Sequence, residues 1–315
     1  MEQESERLKE PTTDTMVVVP WGLVCGKWWG SKKQRPIICI HGWQDNAGTF
    51  DTLIPLLPNN FSYFCIDLPG HGRSTHFPEG MPYYLIWDGV ILLRRIMKQY
   101  GWSSMSIMGH SLGALIGFMF ASVFPDETDL LIALDAVAPT FDLRGKYSSI
   151  SDVARNIDRF LYYNDVKSSK DPVEKYETMI DITYQGHNNK LSRKSCEILM
   201  IRGMTSRGDG TYSFSRDNRV KVGWISYLSG DYVKRCGQKI KCRYLNVKAT
   251  PVDEENWPVY KEMLDIIETS SSDFNLVFVN GPHHVHLNEP EKVAPCIIEF
   301  LKPKESEVNS TDTSN

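Results

Sequence analysis

A short apolar run, Met105 to Met108, meets Gly109-His110-Ser111-Leu112-Gly113, and a second apolar segment continues from Ala114 to Phe124 with no breaker before Pro125. The order reads as strand, sharp turn, helix. A Gly-x-Ser-x-Gly turn needs glycine on both sides because Cβ atoms do not fit so tight an elbow, and the strained turn lifts the serine hydroxyl above the sheet. The pentapeptide alone arises by chance often enough to mean little. Its position between a strand-like and a helix-like run is what gives it weight. A surface serine between two glycines is the competing reading.

The surroundings of this turn set the fold class. At 315 residues the chain suits one large α/β domain with room for an inserted subdomain. A net charge of −4 leaves no basic footprint, which argues against nucleic acid as a partner. The long apolar runs are all interrupted: Val90 to Leu93 by Arg94 and Arg95, and Leu130 to Ala138 by Asp135. None approaches the roughly 20 residues of a membrane span. Met1 to Asp14 is polar and acidic, unlike a secretory signal, and no Ser-Lys-Leu sequence ends the chain. Cytosol is therefore the expected compartment. The seven cysteines are scattered with no Cys-x-x-Cys pair, so reduced thiols are expected and no metal site is suggested by them.

In chain order, residues 1 to 13 read as a flexible arm. Met16 to Val19 and Leu23 to Trp29 read as an antiparallel pair, and Pro36 to Ile40 and Phe61 to Ile66 as strands buried on both faces. A short helix is expected over Thr49 to Leu57. The loop Asp67 to Ser74 lacks the third glycine of a dinucleotide fingerprint, which excludes that kind of nucleotide site. Ile86, Val90, Leu93, Met97 and Tyr100 recur at helical spacing, Ser103 to Met108 feeds the elbow, and Leu130 to Leu134 is the next strand. Strands alternating with helices imply a parallel sheet whose active residues sit at the strands' carboxyl ends. From 139 to 239 the pattern turns polar and helix-like, with stretches at Ile150 to Tyr163, Val173 to Thr183 and Ser192 to Arg202. That segment is read as an inserted cap. Sheet rhythm returns over 240 to 302 with Arg243 to Val247, Trp257 to Thr269, Phe274 to Val279 and Pro290 to Leu301, and residues 303 to 315 read as a disordered tail.

Serine attacks only when a base takes its proton, so Ser111 needs a histidine within reach. Gly281-Pro282-His283-His284-Val285-His286 directly follows the last expected strand, at the sheet's active edge. His283 is preferred as the base, seven residues before Pro290, with His284 and His286 as runners-up; a metal-binding or merely polar loop is the bland alternative. The orienting carboxylate is expected after Arg243 to Val247, and Asp253 is the choice, with neighbouring Glu254 able to serve equally. Asp135, ending an earlier strand, is the outside candidate, although capping the strand end explains it more simply. The backbone N–H groups of Leu112 and Trp43 are the expected oxyanion donors, with His41 bracing the loop. Tyr162, Tyr163 and Trp224 could line an acyl pocket, although packing explains them as well.

These residues together resemble the α/β-hydrolase superfamily over nearly all of residues 15 to 302. Val19-Pro20-Trp21-Gly22, His41-Gly42-Trp43 with Asp45-Asn46-Ala47, Gly70-His71-Gly72 with Ser74, Pro82-Tyr83-Tyr84-Leu85, and Gly281, His283, Val285-His286 and Glu289-Pro290 look like its serine hydrolase-like (kraken-like) branch. The resemblance implies a mostly parallel eight-stranded sheet with helices on both faces, a mainly helical cap, and Ser111 and His283 as nucleophile and base. It implies cleavage of a small-molecule ester or thioester without cofactor or metal. Haloalkane dehalogenase and epoxide hydrolase chemistry need a carboxylate where Ser111 stands, whereas carbon–carbon hydrolysis uses the same triad. A hydrolase fold kept as a binding or scaffold protein is the reading from another class.

Overall fold

The computed structural model describes residues 11–139, 150–165, 172–222 and 228–303. The chain enters as an antiparallel pair, β1 (Pro11–Val19) and β2 (Gly22–Trp29), so that the sheet begins at Pro11, inside the segment expected to be a flexible arm. β3 (Ile37–Ile40) and β4 (Tyr63–Ile66) follow, with every side chain buried. Between them the expected short helix is instead two separate 3₁₀ turns, Ala47–Phe50 and Ile54–Leu56, divided by a turn that Pro55 and Pro58 do not allow to continue.

The parallel rhythm then runs as expected. Helix α1 (Ile86–Gln99) buries Ile86, Val90, Leu93 and Met97 on one stripe. β5 (Met105–His110) leads through Ser111 into α2 (Leu112–Val123), which is apolar all round because it lies between the sheet and other helices. β6 (Thr128–Leu134) pairs in parallel with β5. After the insertion, β9 (Arg243–Thr250), α7 (Trp257–Ser270), β10 (Asp273–Asn280), the short α8 (Val285–Asn288) and α9 (Pro290–Leu301) complete the order. The insertion between β6 and β9 supplies α3 (Ile150–Asp165), α4 (Tyr176–Gly186), α5 (Arg193–Gly203) and the small hairpin β7 (Met204–Ser206) with β8 (Tyr212–Phe214), and the chain then enters α6 (Gly230–Gly237), which packs on α2 and α7 within the main core.

The sheet order is β1-β2-β4-β3-β5-β6-β9-β10, with β2 antiparallel to both of its neighbours, β1 and β4, and all later neighbours parallel. Alternation along the strands splits the core in two. Ile38, Ile40, Phe64 and Ile107 face a layer with α1, α2 and α7, whereas Ile37, Cys39, Tyr63 and Met108 face the other side with Val293, Ile297 and Phe300 of α9. The insertion has a third cluster of its own, Met179, Ile180, Cys196, Leu199 and Met200, which takes in Leu287 of α8. That contact seats the insertion against the histidine-bearing end of the sheet.

Buried charges fix the insertion to the sheet's loops. Arg202 donates to Asp67 at 2.7 Å and to Asp14 at 2.7 Å, and its side chain is 3% exposed. Arg219 pairs with Asp217 at 2.6 Å and donates to the carbonyls of Phe77, Pro78 and Met81. No helix among the described residues is long and apolar enough to cross a membrane. Residues 304–315 of the expected tail lie outside the described residues.

Candidate active site

The elbow is as tight as its glycines require. A Cβ on Gly113 would lie 2.0 Å from the Ile40 carbonyl oxygen, and one on Gly109 would lie 2.3 Å from the Gly113 carbonyl. Ser111 itself is held at φ 49° and ψ −115°, a conformation rarely adopted outside glycine. Its backbone N–H is tied to the Leu134 carbonyl at 3.0 Å, and its own carbonyl accepts from Ala114 and Leu115 as the first turn of α2 begins. The strain is thus held from both sides, and the side chain projects into a cavity of about 390 Å³.

His283 lines the same cavity. Its Nδ1 lies 2.5 Å from Asp135 Oδ2, leaving Nε2 as the other ring nitrogen. The sequence-based preference for Asp253 is therefore corrected: Asp253 is on the surface, its oxygens occupied by Asn256 Nδ2 at 2.6 Å and Glu255 N–H at 3.1 Å in the turn opening α7. The reason is local. β9 runs on to Thr250, so the acidic stretch at Asp253–Glu255 falls beyond the strand end and forms the turn that precedes α7. Asp135 ends β6 at φ 51° and is 9% exposed at its side chain. Lys248 Nζ at 2.5 Å and the Ala249 N–H at 3.0 Å also donate to it. Burial pushes this carboxyl up, but His283 and Lys248 together outweigh burial and leave it below the ordinary carboxylate value.

The loop after β3 approaches the elbow closely: a Cβ on Gly42 would sit 2.9 Å from His110 Nδ1 and 3.4 Å from Ser111 Cβ. Two buried imidazoles hold it. His41 Nδ1 donates to the Gly42 carbonyl at 2.7 Å while Nε2 accepts from Leu68 N–H at 3.0 Å. His71 donates to the Pro69 carbonyl and accepts from Gln44 N–H at 3.2 Å. Burial depresses both rings, His71 to about 3 and His41 below its ordinary value, so neutral imidazole is the bracing form. The Trp43 indole donates to the Val220 carbonyl of the insertion at 2.6 Å. Neither Leu112 N–H nor Trp43 N–H finds an acceptor among the described residues, which leaves both donors available beside Ser111. Among the described residues Ser111 Oγ likewise makes no hydrogen bond.

His284 and His286, the other members of the histidine loop, point elsewhere. His286 Nε2 meets Thr49 Oγ1 at 2.9 Å and its ring lies 4.1 Å from that of His110, where burial depresses it to about 3. His284 Nε2 lies 3.3 Å from Asp45 Oδ2. Asp45 and His110 gave no signal in the sequence beyond their place beside His41-Gly42 and inside the elbow motif, yet both line the cavity and both are buried. Burial pushes the Asp45 carboxyl up, while His284, His41 and His187 overcome this and hold it at about 2.

The rest of the cavity wall comes from α4, α5 and β8, through Ile182, Thr183, His187, Leu199, Met200 and Phe214. Tyr162 and Tyr163, offered by the sequence as acyl-pocket residues, are not among these described lining residues. They stack edge to face with each other on α3, while Trp224 lies outside the described residues.

Comparison with known proteins agrees with the fold. Residues 35–164 match the family model for the alpha/beta hydrolase fold. The chain is 41% identical over 288 residues to a probable serine hydrolase of Drosophila melanogaster, a match covering 91% of this chain and 86% of that protein. It is 34% identical over 303 residues to serine hydrolase-like protein 2 of Homo sapiens, covering 92% and 94% of the two chains. A thioesterase domain from the curacin biosynthetic pathway shares the fold with a TM-score of 0.74 at 20% identity, over 91% of this chain and 99% of that one. The chain belongs to the serine hydrolase-like family of the α/β-hydrolase superfamily.

Proposed function

We propose that the protein is a serine hydrolase that cleaves an ester or thioester of a small or medium acyl group through an acyl-enzyme. The observation that carries this reading is the hydrogen bond from His283 to Asp135 on the wall of the cavity that holds the strained Ser111. Ser111 Oγ attacks the substrate carbonyl carbon while His283 Nε2 takes its proton, and the carbonyl oxygen becomes an oxyanion. The N–H groups of Leu112 and Trp43 stabilise that charge. Collapse of the intermediate breaks the carbon–oxygen or carbon–sulfur bond, and the imidazolium protonates the departing alcohol or thiol. Water, deprotonated by the same ring, then releases the acid and restores Ser111. Asp135 keeps the proton of His283 on Nδ1 and stabilises the imidazolium.

A cavity of about 390 Å³ suits a small to medium acyl group. Chromogenic esters of graded acyl length test the reading. The expected result is a rate optimum at short or medium length that falls about ten-thousandfold or more in Ser111→Ala. One observation favours the second reading, a binding or scaffold protein with negligible turnover: Ser111 Oγ makes no hydrogen bond among the described residues. Such bonds are often long before substrate binds. Equal background rates in wild type and Ser111→Ala, with both well folded, would favour the scaffold.

A further inference from the structure

Behind the elbow, three side chains from three separate segments converge in a way that the triad chemistry does not use. Asp45 comes from the loop after β3, His110 from the end of β5, and His284 from the histidine loop. One donor atom from each lies within 4.8 Å of the others, and all three residues are buried. The contacts are unfinished. Neither carboxylate oxygen of Asp45 has a hydrogen bond among the described residues, nor does His110 Nδ1. His284 Nε2, at 3.3 Å from Asp45 Oδ2, is within ion-pair reach but not in hydrogen-bonding alignment.

The tautomer of His110 sharpens the problem. Its Nε2 is 3.0 Å from the His283 carbonyl oxygen, which can only accept, so the proton of the neutral ring sits on Nε2. Nδ1 is left with a lone pair aimed into the cluster, 3.9 Å from Asp45 Oδ2. A lone pair facing a carboxylate in a buried site is repulsive unless something electrophilic lies between them.

We propose that Asp45, His110 and His284 form a binding site for one divalent transition-metal ion of the zinc class. Two imidazole nitrogens and one carboxylate oxygen are a donor set that such ions favour. Ligand atoms in a tetrahedral zinc site stand about 3.3 Å apart, given bonds near 2.0 Å. The His284–Asp45 separation already has that value and the His110–Asp45 separation of 3.9 Å exceeds it by a fraction of an ångström. The second shell is in place as well, because a metal-bound histidine characteristically donates its other N–H to a carbonyl or carboxylate, as His110 does to His283. Asp45, His110 and His284 also line the cavity, so a bound ion would be reachable from it. Occupancy would join the loop carrying Trp43, the elbow strand and the histidine loop at one point.

The full chain, stripped with a chelator and titrated with Co²⁺, reads this site without reference to turnover, so its outcome is independent of the hydrolase reading. The expected result is a visible d–d absorption that saturates at one equivalent and is displaced by Zn²⁺, together with a rise in melting temperature. Asp45→Asn and His284→Gln, each checked for folding by circular dichroism, should weaken binding more than tenfold, whereas Ser111→Ala should bind as wild type. If one variant fails to fold, the other carries the comparison. Absence of a saturable band in wild type, undiminished binding in a folded ligand variant, or a sulfur-to-cobalt charge-transfer band marking the cysteines as the ligands would each overturn the proposal.

Discussion

His283 Nδ1 and Asp135 Oδ2 stand 2.5 Å apart although 148 residues separate them in the chain. β6 and β10 bring them together from either side of β9, and the carboxylate is fixed further by Lys248 and Ala249. If Asp135 orients the imidazole, Asp135→Asn should lower kcat on a chromogenic ester by about a thousandfold to ten-thousandfold, because the amide favours the wrong tautomer. Asp253→Asn should stay within about twofold of wild type, since a surface carboxylate in the turn before α7 has no part in the proton transfer. Steady-state kinetics on the two purified variants checks both. Equal losses would remove Asp135 from the proposed triad.

The difference between those two aspartates marks where the sequence was readable and where it was not. Strand and helix periods are local, so α1, the elbow and α9 emerged close to their observed bounds. The elbow motif and the histidine loop also carried local signatures. Choosing the acid required knowing that β9 continues to Thr250 and that the turn after β6 bends Asp135 toward a loop far along the chain. That is a tertiary relationship with no sequence period. Asp45 and His110 were hidden for the same reason, as was the cavity wall formed by α4 and α5, whose amphipathic pattern says that a face is buried but not against what.

Glycine at position 113 is a packing requirement. Gly113→Ala places its Cβ 2.0 Å from the Ile40 carbonyl, a backbone atom in the middle of the sheet. A loss of more than about 3 kcal/mol in urea denaturation is expected. Gly186, at the end of α4, meets nothing within 4 Å of the same added atom, so Gly186→Ala should change stability by no more than about 1 kcal/mol, in the stabilising direction. Similar values for the two would contradict the elbow geometry.

The Arg202–Asp67 pair should behave as a buried ion pair. With side chains 3% and 0% exposed, Arg202→Met strands a carboxylate that keeps only the Ala47 and Arg73 N–H groups. The expected cost is about 3 to 5 kcal/mol. The double variant Arg202→Met with Asp67→Leu should recover part of that loss, because no charge is then left unpaired. Denaturant melts of the two single variants and the double variant measure the coupling.

Stability should fall on the acid side of neutrality well before carboxylates titrate. His71 is depressed to about 3 from 6.5 and His41 is also lowered, both chiefly by burial. A folded value below the unfolded one means that the contribution is complete above about pH 6.5 and is lost progressively as pH falls toward the folded value. For His71 the slope is about 1.4 kcal/mol per pH unit, or about 2 kcal/mol between pH 6.5 and 5. Urea melts at several pH values should show this loss, and His71→Gln should flatten it by about that amount. An unchanged slope in the variant would assign the effect to other groups.

The proposal that Ser111, His283 and Asp135 act as one unit is tested most directly by intact-mass measurement after exposure to a fluorophosphonate probe. A single adduct on wild type, its absence in Ser111→Ala, and labelling slowed at least about a hundredfold in both His283→Ala and Asp135→Asn is the predicted pattern. Folded wild-type protein that takes up no probe, or Ser111→Ala that is labelled as fast as wild type, would contradict it.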